Sequence, residues 1–463
     1  MKCAKPNKNG EYAAKRVSND RGAYDASINM KRSRGSVWAR AILVPMLLIL
    51  VFTFTLLALQ TQGAFSSDQK EETAQAISGY WIDNCASNFN GGSGTAASPY
   101  EIANGAQLAL MAKKLRDDNS NYQNKFWKLV NNIDLSEHYW NVSIGVNGDD
   151  NKKFMGWFHG QGYTINGMTI TSTDGNRENV GLFGFIEGRG DRSSSDNRAD
   201  YFTVIESFTL TGKITTQTSG YKRCGGVVGY AYMMCCIKNI HAHVDITASG
   251  NTDEIGGICG HIEQFNTNGP TKVTVIENCT STGTISSSKS LTCTGGIAGY
   301  ANTNNDGRGT CAINRCASFM KITSTGTECD HVGGIVGHLR GGTSEDSNRR
   351  VIVTECYFAG TLTIGNPSAS NSCNGVIGFY QKLYSASAWM SGNWMRTNSV
   401  LYNNGSGIWN RVTESAVGSP DSNNADCLSS ADGALDFTST NVIRPYGPTW
   451  NISSGNSFTG GGY

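Results

Sequence analysis

Charge is scarce in this chain. Lys, Arg, Asp and Glu make up 16% of its 463 residues and nearly cancel, leaving +1 at neutral pH. The cationic excess is confined to residues 1–40, where ten Lys/Arg stand against three Asp/Glu. That balance of +7, subtracted from a total of +1, leaves −6 for the remainder. With no basic patch in the remainder, nucleic acid is excluded as a partner. Two motifs are also missing. No His-Glu-x-x-His stretch occurs, so the metalloprotease chemistry of that motif is excluded. No Leu-Pro-x-Thr-Gly stretch occurs, which favours anchoring at the N-terminus over covalent wall attachment. Helical patterning is rare too. Outside one apolar run, only Ala106–Leu115 combines helical spacing of apolar residues with good helix formers.

Glycine is plentiful, at 56 residues, or about 12% against a usual ~7%. Much of it frames a recurring hexad: Val180–Phe185, Gly225–Tyr230, Gly256–His261, Gly295–Tyr300, Gly333–His338 and Asn374–Phe379. Successive starts lie 45, 31, 39, 38 and 41 residues apart, the signature of a repeat architecture. Glycine at these points fits a sharp corner that needs a positive backbone angle or a close approach between repeats.

A second motif follows each hexad. It opens on Ile205, Ile237, Ile276, Ile313 or Val353; three residues later come Phe208, Ile240, Cys279, Cys316 and Cys356. The fifth offset carries Leu210, Ala242, Ser281, Ser318 and Phe358, and the ninth Ile214, Ile246, Ile285, Ile322 and Leu362. The even offsets between them are mostly polar or mixed, so the motif reads as a strand with one face inward. The segment from this motif to the next hexad is nearly constant, at 19 to 21 residues, whereas the segment before it varies from 12 to 25. One side of each repeat is therefore held in register while the other carries loops of free length, as in stacked coils. The expected fold is all-β, a parallel β-helix with one coil per repeat. Ala106–Leu115 is expected to be a short capping helix over the first exposed rung.

Residues 41–59 form an uncharged apolar run of nineteen residues, which at ~1.5 Å per residue nearly spans a ~30 Å hydrocarbon core. Lys31, Arg32, Arg34 and Arg40 precede it, which keeps the N-terminus inside and the bulk of the chain outside. An uncleaved transmembrane anchor fits better than a cleaved signal peptide, given the forty-residue leader. The expected organisation is a basic cytoplasmic leader at 1–40, the transmembrane or signal segment at 41–60 and a spacer at 61–79. The N-terminal cap and first coils then occupy 80–170, the repeat β-helix 171–400, and a C-terminal cap with a Gly/Ser/Asn-rich tail 401–463.

Several stretches follow in order ahead of the hexads: Asn90–Thr95, Pro99–Ile102, Gln107-Leu108, Asn132–Leu135, and Phe154-x-Gly-x-Phe158-x-Gly160-x-Gly162-x-x-Ile165. Together they resemble the bacterial surface proteins that carry GLUG motifs, over roughly residues 80–400. The resemblance implies a right-handed parallel β-helix displayed outside the cell, in a family also found attached to immunoglobulin A peptidases and haemagglutinin-like adhesins. His159 departs from the acidic residue of that pattern. The peptidase activity is not implied, since its zinc motif is absent.

The column Phe208, Ile240, Cys279, Cys316 and Cys356 accepts Phe, Ile and Cys alike, which marks an interior apolar slot filled by thiols that act as small hydrophobes. In-register rungs hold Cβ atoms roughly 4.8 Å apart, wider than the ~3.8 Å a disulfide prefers. Disulfides among Cys224, Cys235, Cys236, Cys259 and Cys293 stay open. Cys235-Cys236 with His241 and His243 resembles a metal cluster, but an outward polar strand face explains the histidines without one. His261 and His338 occupy the aromatic position of the hexad and read as members of a stack. They resemble the Gly-His-Gly of polygalacturonases but lack its final glycine, and Asn251-Thr252-Asp253 and Asp149-Asp150 are not placed as a catalytic pair. Trp389, Trp394 and Trp409, among Asn, Gly and Ser, are the ligand-binding candidates, either stacking on a sugar or partner or covering the open end of the solenoid.

The expected function is non-enzymatic: a surface-displayed stalk or adhesin that binds a glycan, or a host or neighbour-cell protein, through loops. It uses no catalytic residue, metal or cofactor. Its partners are the membrane, through residues 41–60, and that ligand. Its location is the cell membrane with an extracellular domain, or the medium if the N-terminal segment is cleaved. The alternative is a polysaccharide-acting lyase or hydrolase on a pectate-lyase-like scaffold, with Asp, Arg or Lys side chains converging in a groove along one face.

Overall fold

The computed structural model describes residues 77–146, 152–172, 178–189, 202–216, 223–249, 254–265, 272–303, 309–326, 329–341, 350–364 and 373–381, and beyond them the backbone of short strands between 387 and 460. The fold is mostly β. Each repeat contributes a strand to three parallel sheets. A short strand (Arg223–Gly225, Glu254–Gly256, Thr292–Gly295, Asp330–Gly333) leads into the hexad corner. A second strand leaves it (Val228–Tyr232, Cys259–Gln264, Ala298–Thr303, Val336–Arg340). The second sequence motif forms the third, longest side, as in Thr203–Thr216 and Cys235–Ala248. From Thr203–Thr216 onward equivalent strands pair without slippage: Ile237 faces Ile205 and Ile276, Ile276 faces Ile313, and Ile313 faces Val353. The same column runs back through Phe158 and Trp127. The stacking is that of a parallel β-helix-like coil.

Glycine is required at the corner for closeness, not for handedness of the backbone. None of the described hexad glycines has a positive φ. A Cβ on Gly260, however, would lie 2.7 Å from both the Cys224 amide nitrogen and the Gly229 carbonyl of the preceding rung. The corner therefore brings the second strand against the backbone of the short strand one rung back.

A positive φ is used elsewhere. Ser207, Asn239, Asn278, Arg315 and Glu355, the third residues of the second motif, all have φ between 50° and 63°. This bend reverses the alternation of a plain strand, so the first residue of the motif and the fourth both face inward. Phe208, Ile240, Cys279, Cys316 and Cys356 are buried to 2% exposure or less. Phe208 pairs with Ile240, the Cys279 carbonyl accepts from Ala317, and the Cys316 carbonyl accepts from Tyr357. Each of the three thiols donates to a carbonyl of its own rung and one of the preceding rung: Cys316 Sγ, for example, lies 3.2 Å from Asn314 O and 3.7 Å from Ile276 O. Burial holds the Cys316 thiol well above its ordinary value, and Cys279 and Cys356 lie beside it. Among the described residues no disulfide forms.

One rung beyond Cys356 the column carries a residue of opposite character. The wholly buried Asn393 accepts from the Cys356 amide (3.0 Å) and donates to the Val353 carbonyl (2.7 Å). It satisfies two backbone groups that would otherwise be orphaned inside the coil.

At the other end, Asn104 caps a helix, α1 (Gly105–Asp117), by accepting from the Gln107 amide. Leu108, Met111, Ala112 and Leu115 share one stripe and one apolar cluster with Ile102, Leu129 and Ile133 of the first rungs. Among the described residues no helix is long and apolar enough to cross a membrane. The run at 41–60 lies outside the described residues, as do the 1–40 leader and most of the 61–79 spacer.

Candidate functional site

On the long sheet, outward side chains form a ladder of charge. Glu101, Lys128, His159, Glu206, Lys238 and Glu277 follow one another in register. Lys128 lies 3.0 Å from Glu101, His159 3.4 Å from Glu206, and Lys238 3.1 Å from Glu206. His159 therefore stands between a lysine and a glutamate, where cross-strand pairing tolerates it.

The hexad corner is the more unusual surface. Gly229, Gly260, Gly299 and Gly337 let two sheets meet so closely that their outward side chains bury one another. From the second strand come Phe185, Tyr230, His261, Tyr300, His338 and Phe379, each paired in register with the next. His261 sits between Tyr230 and Tyr300 with ring centroids 4.7 Å from each, and His338 lies 4.8 Å from Tyr300. The histidines are thus members of an aromatic stack.

From the short strand come Arg223, Glu254, Cys293 and His331, and they meet this stack in two clusters. In the first, His261 Nδ1 is 2.9 Å from Glu254 Oε2, and Arg223 Nε is 3.2 Å from each of those atoms. The Arg223 guanidinium lies over the Tyr230 ring at 4.3 Å, and the Tyr230 hydroxyl donates to Glu263. Burial, and then the Glu263 carboxylate, hold the Tyr230 hydroxyl well above its ordinary value. The Glu254 side chain is only 3% exposed and that of His261 5%. Ionisable groups this deep need partners, and here Arg223 supplies the cation.

In the second cluster, Cys293 Sγ lies 3.7 Å from His338 Nδ1 and 3.9 Å from His331 Nδ1. Cys293 and His331 occupy equivalent places on adjacent rungs, flanked by the pairs Thr292–Asp330 and Thr294–Val332. Both have positive φ, 40° and 54°. The imidazoles of His331 and His338 lie 4.4 Å apart between centroids, and Phe379 packs on both. Burial lowers the His331 value, with Asp330 opposing it. Among the described residues these three form a group whose ligand atoms lie within 4.8 Å of one another.

Other candidates do not converge. Cys235 is buried and donates to backbone carbonyls, while His243, on the outer face, pairs with Thr282 Oγ1 at 2.8 Å. Asp149-Asp150 and Asn251-Thr252-Asp253 lie outside the described residues. Trp389, Trp394 and Trp409 belong to strands rather than loops: Trp389 pairs with Ile352, Trp394 with Tyr357, and Trp409 with Asn403. Their side chains lie outside the described residues. The Cys293 cluster was not legible in the sequence, because its members lie 38 and 45 residues from Cys293 and share no motif.

The family model of the GLUG motif matches residues 253–286. Over 139 residues, 29% of this chain, the chain is 34% identical to a provisionally named Gly-rich membrane protein of Evansella cellulosilytica. Over 156 residues, 30% of this chain, it is 30% identical to halomucin of Haloquadratum walsbyi. The chain spans 15% and 2% of the length of these two relatives. A solved structure of a provisionally assigned immunoglobulin A1 protease from Bacteroides ovatus aligns over 72% of this chain and 84% of its own, at 16% identity and a TM-score of 0.38, too low for inference. The stretch matched by the family model runs from the Glu254 corner through Cys279 of the ladder, so the chain carries a GLUG motif there, as a GLUG-motif repeat protein does.

Proposed function

We propose that this chain is a surface-displayed, non-enzymatic stalk or adhesin whose right-handed β-helix carries binding loops outward. Right-handedness follows from the general rule for parallel crossover connections. The observation that supports the reading is how the ionisable groups are used. Glu254, His261, Arg223, Glu263 and Tyr230 face one another inside the corner, and the charged ladder of the long sheet pairs along its length. Groups so arranged stiffen a wall and have little capacity left for a substrate. The names of the two sequence relatives, a Gly-rich membrane protein and halomucin, agree with a place at the membrane or outside the cell. The run at 41–60 would supply the anchor. Trp389, Trp394 and Trp409 remain the candidates for glycan or protein contact.

A second reading, a polysaccharide lyase or hydrolase, is favoured by the convergence of Arg223, Glu254, His261 and Glu263 at one corner. Glycoside chemistry needs two carboxylates across a bound sugar, whereas these are paired within the wall. The test is to offer the purified full chain to glycan and host-protein arrays and, in parallel, to uronate and neutral polysaccharides. Saturable binding without bond cleavage supports the first reading. Cleavage abolished by Glu254→Gln overturns it in favour of the second.

A further inference from the structure

We propose that Cys293, His331 and His338 bind one zinc ion in the hexad corner, with a fourth coordination position open to water. The donor set is one that zinc prefers, a thiolate and two imidazoles. The spacing agrees. Zinc lies ~2.3 Å from sulfur and ~2.0–2.1 Å from nitrogen, which sets a sulfur and a nitrogen about 3.5–3.8 Å apart for angles between tetrahedral and trigonal. Here one separation, 3.7 Å, falls in that range and the other, 3.9 Å, lies just above it.

The surroundings prepare the imidazoles for a metal. His331 Nε2 faces the Asp330 carboxylate at 3.4 Å. A carboxylate on one ring nitrogen fixes the tautomer that leaves the other as a lone-pair donor, the usual outer partner of a metal-bound histidine. Here the nitrogen left as donor is Nδ1, the atom nearest Cys293. Tyr300 and Phe379 pack on the rings and fix their planes. The His331 side chain keeps 21% of its exposure, which provides an entry route and a wet side for the fourth position. The left-handed backbone at Cys293 and His331 costs energy at residues that seldom adopt it.

The neighbouring cluster sharpens the contrast. Beside Glu254 and His261 the chain supplies its own cation, Arg223. Cys293, His331 and His338 instead present one sulfur and two ring nitrogens within 4.8 Å of one another, the donor types of a zinc site. Binding breaks the Cys293 S–H bond and forms an S–Zn bond, with the proton released to solvent. His331 and His338 each donate a lone pair without losing a proton.

The experiment uses the full chain in mild detergent, reduced and stripped with a chelator, and titrated with cobalt(II) and then zinc(II). The expected result is one cobalt per chain with a thiolate-to-metal charge-transfer absorption, displaced by zinc. Cys293→Ser abolishes that absorption. His338→Phe, which places at this rung the residue found at Phe185 and Phe379, abolishes tight binding with the melting curve of the stripped protein intact. Asp330→Asn weakens zinc by about 10–100-fold, the range for outer-shell partners. The control Cys316→Ala leaves the stoichiometry at one. The proposal is overturned if the wild type binds no metal, or if Cys293→Ser and His338→Phe retain the same stoichiometry and affinity.

Discussion

His338 pairs in register with Tyr300, and its ring centre lies 4.8 Å from that of the tyrosine. The relationship recurs at Tyr230 and His261, and it exists because glycine at the fifth hexad position lets two sheets close on each other. The outer face of the corner is consequently as buried as many interiors, and side chains that a strand pattern assigns to solvent become a second, polar core.

The corner should be intolerant of a single methyl group. In Gly260→Ala the new Cβ meets backbone of Cys224 and Gly229 at 2.7 Å, and backbone cannot step aside. A destabilisation of about 1–3 kcal/mol is expected, the usual cost of overpacking, read as a lower denaturant midpoint. An unchanged midpoint contradicts the close-approach account.

Asn393 follows Cys356 in the interior column and serves the Cys356 amide and the Val353 carbonyl at once. Asn393→Leu leaves both groups buried without that partner. Each orphaned group costs about 1–3 kcal/mol, so the loss should exceed that of Cys316→Ala, which removes only a small apolar side chain. Equal losses from the two variants in urea unfolding contradict this role.

Alkaline pH should weaken the fold through its buried thiols. Burial pushes Cys224 up to about 12 and Cys236 to about 11, from an ordinary value of 9.0. Below the ordinary value both folded and unfolded chains keep these protons, and the stabilisation is fully present. Above it the unfolded chain releases protons that the folded chain retains, so stability falls as pH rises toward the folded values. Urea midpoints at about pH 8 and about pH 10.5 should show the decline, and Cys224→Ala should reduce it.

The charged ladder predicts a local effect with little global consequence. Lys128 and then Asn90 hydrogen-bond the Glu101 carboxylate and hold it below its ordinary value. Lys128→Met should raise the Glu101 value, measured by NMR titration, with scant change in melting because the pair lies at the surface. A Glu101 value that stays low in the variant contradicts the pairing.

The sequence made the coil visible and the corner chemistry invisible, for physical reasons. Hexad glycines recur because every rung meets the same backbone clash, and Ile205, Ile237, Ile276, Ile313 and Val353 recur because every rung fills the same interior place. The left-handed bend at the third residue of the second motif was hidden. Asn239 and Asn278 suit that conformation, but Arg315 and Glu355 do not announce it. Cys293, His331 and His338 gather only after two rungs have stacked and a corner has folded, so local spacing could not reveal them. By contrast Cys235 and His243, near each other in sequence, are parted by the inward and outward faces of a single strand.

The most direct measurement of rung-on-rung register is alkylation of the folded full chain, with each cysteine quantified by mass spectrometry. Cys279, Cys316 and Cys356 should stay unmodified together and react at one common rate, set by unfolding, while half-buried Cys85 reacts faster than any of them. Reaction of any one of the three in the folded state at the rate of Cys85, with the other two protected, would contradict a shared interior column.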